Sequence, residues 1–195
     1  MSQRDNLIIA PLNGYASDVG IWLAALQDAR KRTLRVLENI EPQWLDYVPE
    51  AGGESIGTVL YHLAAIEASW FYEEVLQAPS FPPEIDVLLP HDVRDGDGKL
   101  TSVSDTMQNH LERLKKVREN LLAGFLNITT DDFWRARSLP EYDVSPVYVI
   151  HHLMQHEAEH RGQIDWIGMQ AKMTQPPAHF DKLSAAPSLQ GKGGE

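Results

Sequence analysis

The chain contains no cysteine. That absence excludes disulfides, thiolate nucleophiles and cysteine-ligated zinc, so any metal the protein holds must be bound through histidine and carboxylate. Positive charge is also scarce: 17 Lys and Arg stand against 28 Asp and Glu, leaving a formal charge of −11, and no long basic run gathers what there is. Such a balance gives phosphate backbones and anionic lipid little to be drawn to, so nucleic acid is disfavoured as a partner. No stretch approaches the roughly 20 apolar residues of a membrane span, so no membrane partner is expected. The N-terminal MSQRDNLIIAPLNG lacks a basic region followed by an apolar core of signal-peptide length, which predicts a cytoplasmic location. At 195 residues the chain has the length of one domain.

What is present is helical periodicity. Val19, Trp22, Leu23, Leu26, Leu34, Leu37 and Ile40 recur mostly at helical spacing from Ser17 to about Ile40, and Pro42 stops the pattern. Pro49 and Gly52-Gly53 break the chain before Ser55, an expected N-cap for a second helix over Ile56 to about Gln77. Residues Pro79 to Leu100 carry prolines, glycines and acids and are expected to form a long loop; loops of that length inside a compact domain are often functional or mobile. A third helix is expected over about Ser104 to Leu126, with Met107, Leu111, Leu114, Val117, Leu121 and Phe125 on one side. The fourth starts near Ser145-Pro146, where proline suits the first turn, and ends near Met173. Four amphipathic helices without a convincing hairpin signal predict an all-α, four-helix bundle with a long loop between helices two and three. The bundle is expected over residues 15–173, between an N-terminal arm, 1–14, and a flexible C-terminal tail, 174–195.

The eight histidines are the residues of chemical interest. On a helix, His156 and His160 share one stripe with Val149, Leu153, Ile164 and Ile167, so both interrupt a core face. His62 does the same on the second helix, beside Val59 and Ile66. Burying imidazoles in a bundle interior costs desolvation unless each finds a partner, and one divalent ion can satisfy all of them. The i, i+4 spacing of His156 and His160 lets both rings grip one ion. His62 is the favoured third ligand, with His110 and His152 as alternatives. A His62, His156, His160 set would leave at least one coordination position open, which is a catalytic layout. His91, His151 and His179 are expected to be solvated.

The segment His156-Glu157-Ala158-Glu159-His160 also spells H-E-x-x-H, a zinc-peptidase signature. The longer metzincin pattern fails, because Gln163 and Trp166 stand where it requires Gly and His. No later helix supplies a glutamate ligand, and no strand is evident to hold a peptide, so the peptidase is the lesser alternative. Asp95-Gly96-Asp97-Gly98-Lys99 fails the calcium-loop pattern at Lys99, Leu100 and Thr106 and is expected to be a plain turn. Arg30-Lys31-Arg32 is expected to be a solvated face. The five tryptophans, Trp22, Trp44, Trp70, Trp134 and Trp166, are expected in the core or an interface.

Several segments together resemble a known family. Leu45-Asp46-Tyr47, then Pro49-Glu50-Ala51-Gly52-Gly53-Glu54-Ser55-Ile56-Gly57, Tyr61-His62-Leu63 with Glu67 and Trp70, and His156-Glu157-Ala158-Glu159-His160-Arg161-Gly162-Gln163-Ile164 resemble the DinB/YfiT-like superfamily of metal-dependent enzymes, over roughly residues 15 to 172. The resemblance implies a four-helix bundle that binds a divalent metal ion, commonly zinc or nickel, through three histidines, here by position His62, His156 and His160. It also implies a homodimer, and for several members an S-transferase or isomerase using a low-molecular-weight thiol such as bacillithiol or mycothiol. Glu54 departs from the asparagine often found there, and the loop over 79–100 is long.

The expectation is therefore a metal-dependent enzyme acting on a small-molecule substrate. As an S-transferase it would use the ion to stabilise the thiolate of a small thiol, since the chain has no thiol of its own. As a hydrolase it would use the ion to acidify water. Glu157 is a candidate proton acceptor, and Gln163 a candidate for orienting water or a histidine ring. A non-catalytic metal- or ligand-binding bundle of a stress response is the alternative from a different class.

Overall fold

The structure, a computed structural model, describes residues 7–175. Helix α1 spans Ser17–Leu37, and a 3-10 turn, Pro42–Trp44, leads toward α2, Ile56–Ser69. A π-helical segment, Trp70–Val75, extends α2 without a break. The short α3, Pro83–Asp86, precedes α4, Met107–Phe125, and α5, Thr130–Trp134. Strands β1, Arg137–Ser138, and β2, Asp143–Val144, pair antiparallel before the long α6, Pro146–Thr174. Helices α1, α2, α4 and α6 form the four-helix bundle, with α1 against α6 and α2 against both α4 and α6. No helix among the described residues is long and apolar enough to cross a membrane.

Local chemistry explains the helix starts. Ser55 Oγ accepts the Thr58 amide of α2 at 3.2 Å, Thr106 Oγ1 accepts the Asn109 amide of α4 at 3.2 Å, and Ser145 Oγ accepts the Tyr148 amide of α6 at 3.4 Å. Each satisfies an amide that the helix itself leaves unpaired. Because Thr106 is the cap, α4 begins at Met107, three residues later than the expected Ser104. Helix α1 stops at Leu37 rather than Ile40, since the Asn39 and Ile40 amides turn back on Val36 O and Leu37 O before Pro42. The β1–β2 hairpin was not expected, because strands of two residues carry no alternation to detect.

Helix α2 is the central element. Nearly every residue from Ile56 to Ala68 is buried, and its apolar side chains meet Val19, Leu23 and Leu26 of α1, Leu114, Leu121 and Phe125 of α4, and Ile150, Leu153 and Ile164 of α6 in one core. The 79–100 segment is a packed loop. Ile85 and Leu89 are buried, Tyr61 Oη donates to His91 O at 2.7 Å and accepts the His91 amide at 2.9 Å, and Arg94 pairs with Leu100. Asp95–Lys99 is the plain turn expected, closed by Asp95 Oδ1 accepting the Asp97 and Lys99 amides. Of the expected arm, Leu12 packs on the core while Leu7, Ile8 and Ile9 are exposed. Residues 1–6, the expected tail from 176 onward and His179 lie outside the described residues.

Candidate metal centre

Helices α2 and α6 bring three histidines together. The ring centroids of His62 and His156 lie 4.9 Å apart, those of His62 and His160 4.9 Å, and those of His156 and His160 4.4 Å. One nitrogen from each ring lies within 4.8 Å of the others, and His62 Nε2 and His156 Nε2 are 3.0 Å apart. Among the described residues, this is the group able to hold a metal ion. His62 is buried, and His156 and His160 are partly buried.

The electrostatics suit metal ligands. Burial pushes His62 down to about 4, with the charges of His160 and Arg94 acting the same way. Burial pushes His156 down to about 3, helped by His160, His62 and His152. Both rings therefore stay neutral at ordinary pH, the form that coordinates. Gln163 Oε1 lies 2.8 Å from His160 Nδ1, so the ring donates Nδ1–H to the amide and keeps its Nε2 lone pair free. His62 Nδ1 is buried without a hydrogen-bond partner.

These residues fit an ion. With zinc–nitrogen bonds near 2.0–2.1 Å, tetrahedral ligand nitrogens stand about 3.3 Å apart, close to the 3.0 Å between His62 Nε2 and His156 Nε2.

The alternative ligands, His110 and His152, are placed elsewhere and do not join the group. His110, on α4, is fully buried; its Nδ1 accepts from Arg113 Nη1 at 3.1 Å, and its Nε2 is unpaired against the backbone of Gly57. His152, on α6, stacks on Trp70 at 4.0 Å and lies 5.7 Å from His156. His91 is exposed, while His151 is partly buried beside Trp22 and Tyr148.

Glu157 requires a correction. Its carboxylate is not free to take a proton beside the histidines, because it turns into the bundle and accepts Arg30 Nε at 2.6 Å and Arg118 Nη2 at 3.1 Å. Arg30 Nη2 also donates to Glu67 Oε2 at 2.8 Å, and Arg118 Nε and Nη2 donate to Glu67 at 2.6 and 2.8 Å. All four side chains are buried, one from each bundle helix. Burial alone would raise Glu67, but Arg118 and Arg30 outweigh it and hold its carboxyl below the usual range. The reason for the misplacement is angular: on a helix, residue 157 stands about 100° from residue 156, far enough to face a different neighbour. The same network overturns the solvated Arg30-Lys31-Arg32 face, since Arg30 lies inside while Arg32 pairs with Asp28 at the surface. Arg118 interrupts the apolar stripe between Leu114 and Leu121, and that interruption is the signal by which sequence reasoning could have found it.

This arrangement, histidines from α2 and α6 around one point in a four-helix bundle, coincides with a family match. The sequence profile of the DinB superfamily matches residues 25–164. The chain belongs to the DinB superfamily. The match spans most of the bundle, including all three histidines, Glu67 and Gln163. No curated protein is similar enough to the chain to count as a match. For a DinB superfamily member the three-histidine group is compatible with a metal-binding enzyme.

Proposed function

We propose that this DinB superfamily protein is a metal-dependent enzyme acting on a small molecule, with His62, His156 and His160 as its metal ligands. The observation that carries the reading is the convergence of imidazole nitrogens from two helices, backed by Gln163 on His160. A divalent ion, zinc or nickel, bound there with an open position would supply Lewis-acid chemistry toward a thiol or water. The protein's own part is to hold three ligand nitrogens in place, keep those of His62 and His156 unprotonated through burial, and seat the substrate. A cavity of about 630 Å³, which none of the three histidines lines, runs along α2 past Ala65 and Ser69, one and two turns beyond His62, to the packed loop at His91–Val93. That volume lies in the usual range for small-molecule sites.

With no cysteine in the chain to act as nucleophile, the nucleophile comes from outside it, as a low-molecular-weight thiol transferred to an electrophile or as water in hydrolysis. The test is elemental analysis of purified protein beside His62→Ala and His156→Ala, followed by turnover of an electrophilic aryl halide with and without added thiol. One metal ion per chain, lost in both variants, and thiol-dependent turnover are expected. Metal content unchanged in His62→Ala would overturn the site, and metal binding without turnover would return the non-catalytic bundle. A homodimer and a cytoplasmic location belong to the same proposal. For the dimer, the exposed stripe of Trp166, Met169 and Met173 on α6 offers an apolar contact, and sedimentation velocity measures it.

A further inference from the structure

A second hollow, of about 570 Å³, lies on the other side of the π-helical end of α2. Its wall is aromatic: Trp70, Trp134, Tyr142 and Tyr148, with Asp143 and Ser145 beside them. Three of these rings, Trp134, Tyr142 and Tyr148, are about half exposed, which is unusual for a cluster of large apolar groups with nothing covering them. Two of them, Trp134 and Tyr142, are also held in place by their polar tips. Trp134 Nε1 donates to Asp18 Oδ2 of α1 at 2.7 Å, and Tyr142 Oη donates to Glu74 Oε1 at 2.5 Å, a bond that pushes the phenol up to about 12. With those two polar ends occupied, the ring faces and edges of Trp134 and Tyr142 are what remains of them to meet a ligand.

The hollow is joined to the histidine group by a row of rings. Trp70 stacks on His152 at 4.0 Å and 25°, Tyr148 lies nearly parallel to His152 at 6.5 Å and 10°, and His152 lies 5.7 Å and 30° from His156. Trp70 and Tyr148 are themselves 6.3 Å apart and tilted by 34°. An aromatic cage for a cation needs ring faces turned toward one centre. Shallow angles in series make a stack instead, which another flat ring can extend. The cavity along α2 differs, being lined by Glu73, Asp86 and Asp92 as well as apolar groups.

We infer that the Trp70–Trp134–Tyr142–Tyr148 hollow is a binding site for a flat, uncharged aromatic group, the part of the substrate remote from the reacting atom. This deepens the reading of the histidine group as a metal site and takes its link to catalysis from it. His152 acts as the spacer ring between hollow and ligand set. An anionic occupant is disfavoured by a protein of charge −11 whose hollow is lined by Asp143 and by no cationic side chain among the described residues, and the stacked rather than caged rings favour a neutral ring over a cation.

The experiment is fluorescence titration with the neutral probe N-phenyl-1-naphthylamine, using the full chain in its metal-loaded form. Saturable binding is expected, at least tenfold weaker in Trp134→Ala and in Tyr148→Ala and unchanged in Trp166→Ala, an exposed tryptophan outside the hollow. Both hollow variants should keep the wild-type helical circular dichroism and one metal per chain. Equal probe affinity in all four proteins would overturn the inference, as would displacement of the probe by tetramethylammonium at concentrations where naphthalene fails to displace it. Failure of the two proposals is distinguishable. Probe binding that persists in metal-free His62→Ala leaves the hollow standing, whereas one metal per chain with no probe binding overturns the hollow alone. Quenching of the bound probe when cobalt replaces zinc is expected from its nearness to the histidines, and absence of quenching would overturn the link.

Discussion

In the proposed metal site, Gln163 supports a ligand from outside the ligand set. By accepting the Nδ1–H of His160 it sets the tautomer and the ring orientation, leaving Nε2 directed at the other histidines. Gln163→Ala is expected to weaken zinc binding by about 10- to 100-fold, the usual effect of losing such a support, while leaving the fold intact; competition with a chromophoric chelator measures it. His110 makes a different point, about pH. Burial, with Arg113 acting the same way, pushes it down to about 4, against 6.5 for an unfolded histidine. Between those values the unfolded chain binds a proton that the folded one refuses, so stability rises with pH across the window and falls as pH drops from 6.5 toward 4. His62 and His156 act in the same direction when no metal is bound. In metal-free protein, His110→Gln is expected to flatten the dependence of unfolding free energy on pH by up to ~1.4 kcal/mol per pH unit, since one proton is removed from the balance. Urea titrations at pH 5 and pH 7 with a chelator present would show it, and an unchanged slope would count against the buried neutral ring. At this scale the sequence was legible for the three clustered histidines and for Gln163, because each sits on a stripe that helical spacing defines. It was not legible for Glu157 or His152. A rotation of one residue step decides which helix a side chain meets, and only the packed bundle sets that rotation.

The four bundle helices are pinned to one another by charge as well as by apolar packing. Arg30 of α1, Glu67 of α2, Arg118 of α4 and Glu157 of α6 are joined by a continuous set of charged hydrogen bonds in a dry interior, and the guanidiniums also donate to Leu114 O and Leu26 O. Such a quartet carries no net charge, so it is tolerable whole and costly when broken. Glu157→Gln leaves the two arginines with one carboxylate between them and is expected to cost about 3–5 kcal/mol by urea unfolding. Breaking the exposed Lys115–Glu119 pair, by contrast, should cost under about 1 kcal/mol. Glu67 lies five residues after His62 and Glu157 one after His156, so the quartet also fixes the register in which α2 and α6 present their histidines. Gly124 supplies a second test of packing against propensity. Alanine would favour helix α4 by up to about 1 kcal/mol, but its Cβ would overlap Phe71 Cζ, part of a buried ring stacked on Phe125 at 5.7 Å. The clash dominates, and Gly124→Ala is expected to destabilise by about 1–3 kcal/mol. The helices themselves were legible from period and caps. The quartet was visible only as charges interrupting apolar stripes, since a sequence does not say which interruption faces which.

For the whole molecule, the core does not depend on metal. Apolar contacts and the quartet hold four helices together, so removing the ion should leave helical circular dichroism unchanged, unlike a zinc finger that unfolds without metal. Zinc at a hundredfold excess over its dissociation constant is expected to add about 2.7 kcal/mol to the unfolding free energy, and chelation should remove it. Loss of helicity on chelation would mean that the ion is structural. The amino-acid sequence by itself determined the helical architecture, because a 3.6-residue period, serine and threonine caps and proline stops act over a few residues. It determined the chemistry available too: without cysteine, histidines on apolar stripes were the natural metal ligands. Only the tertiary structure decided which of them converge, that Glu157 turns inward to two arginines, that the 79–100 loop is packed, and that an aromatic hollow stands beside the ligand set. Each of these depends on contacts between residues far apart in the chain, where small differences in helix rotation and offset choose the partner, and no local pattern encodes those differences.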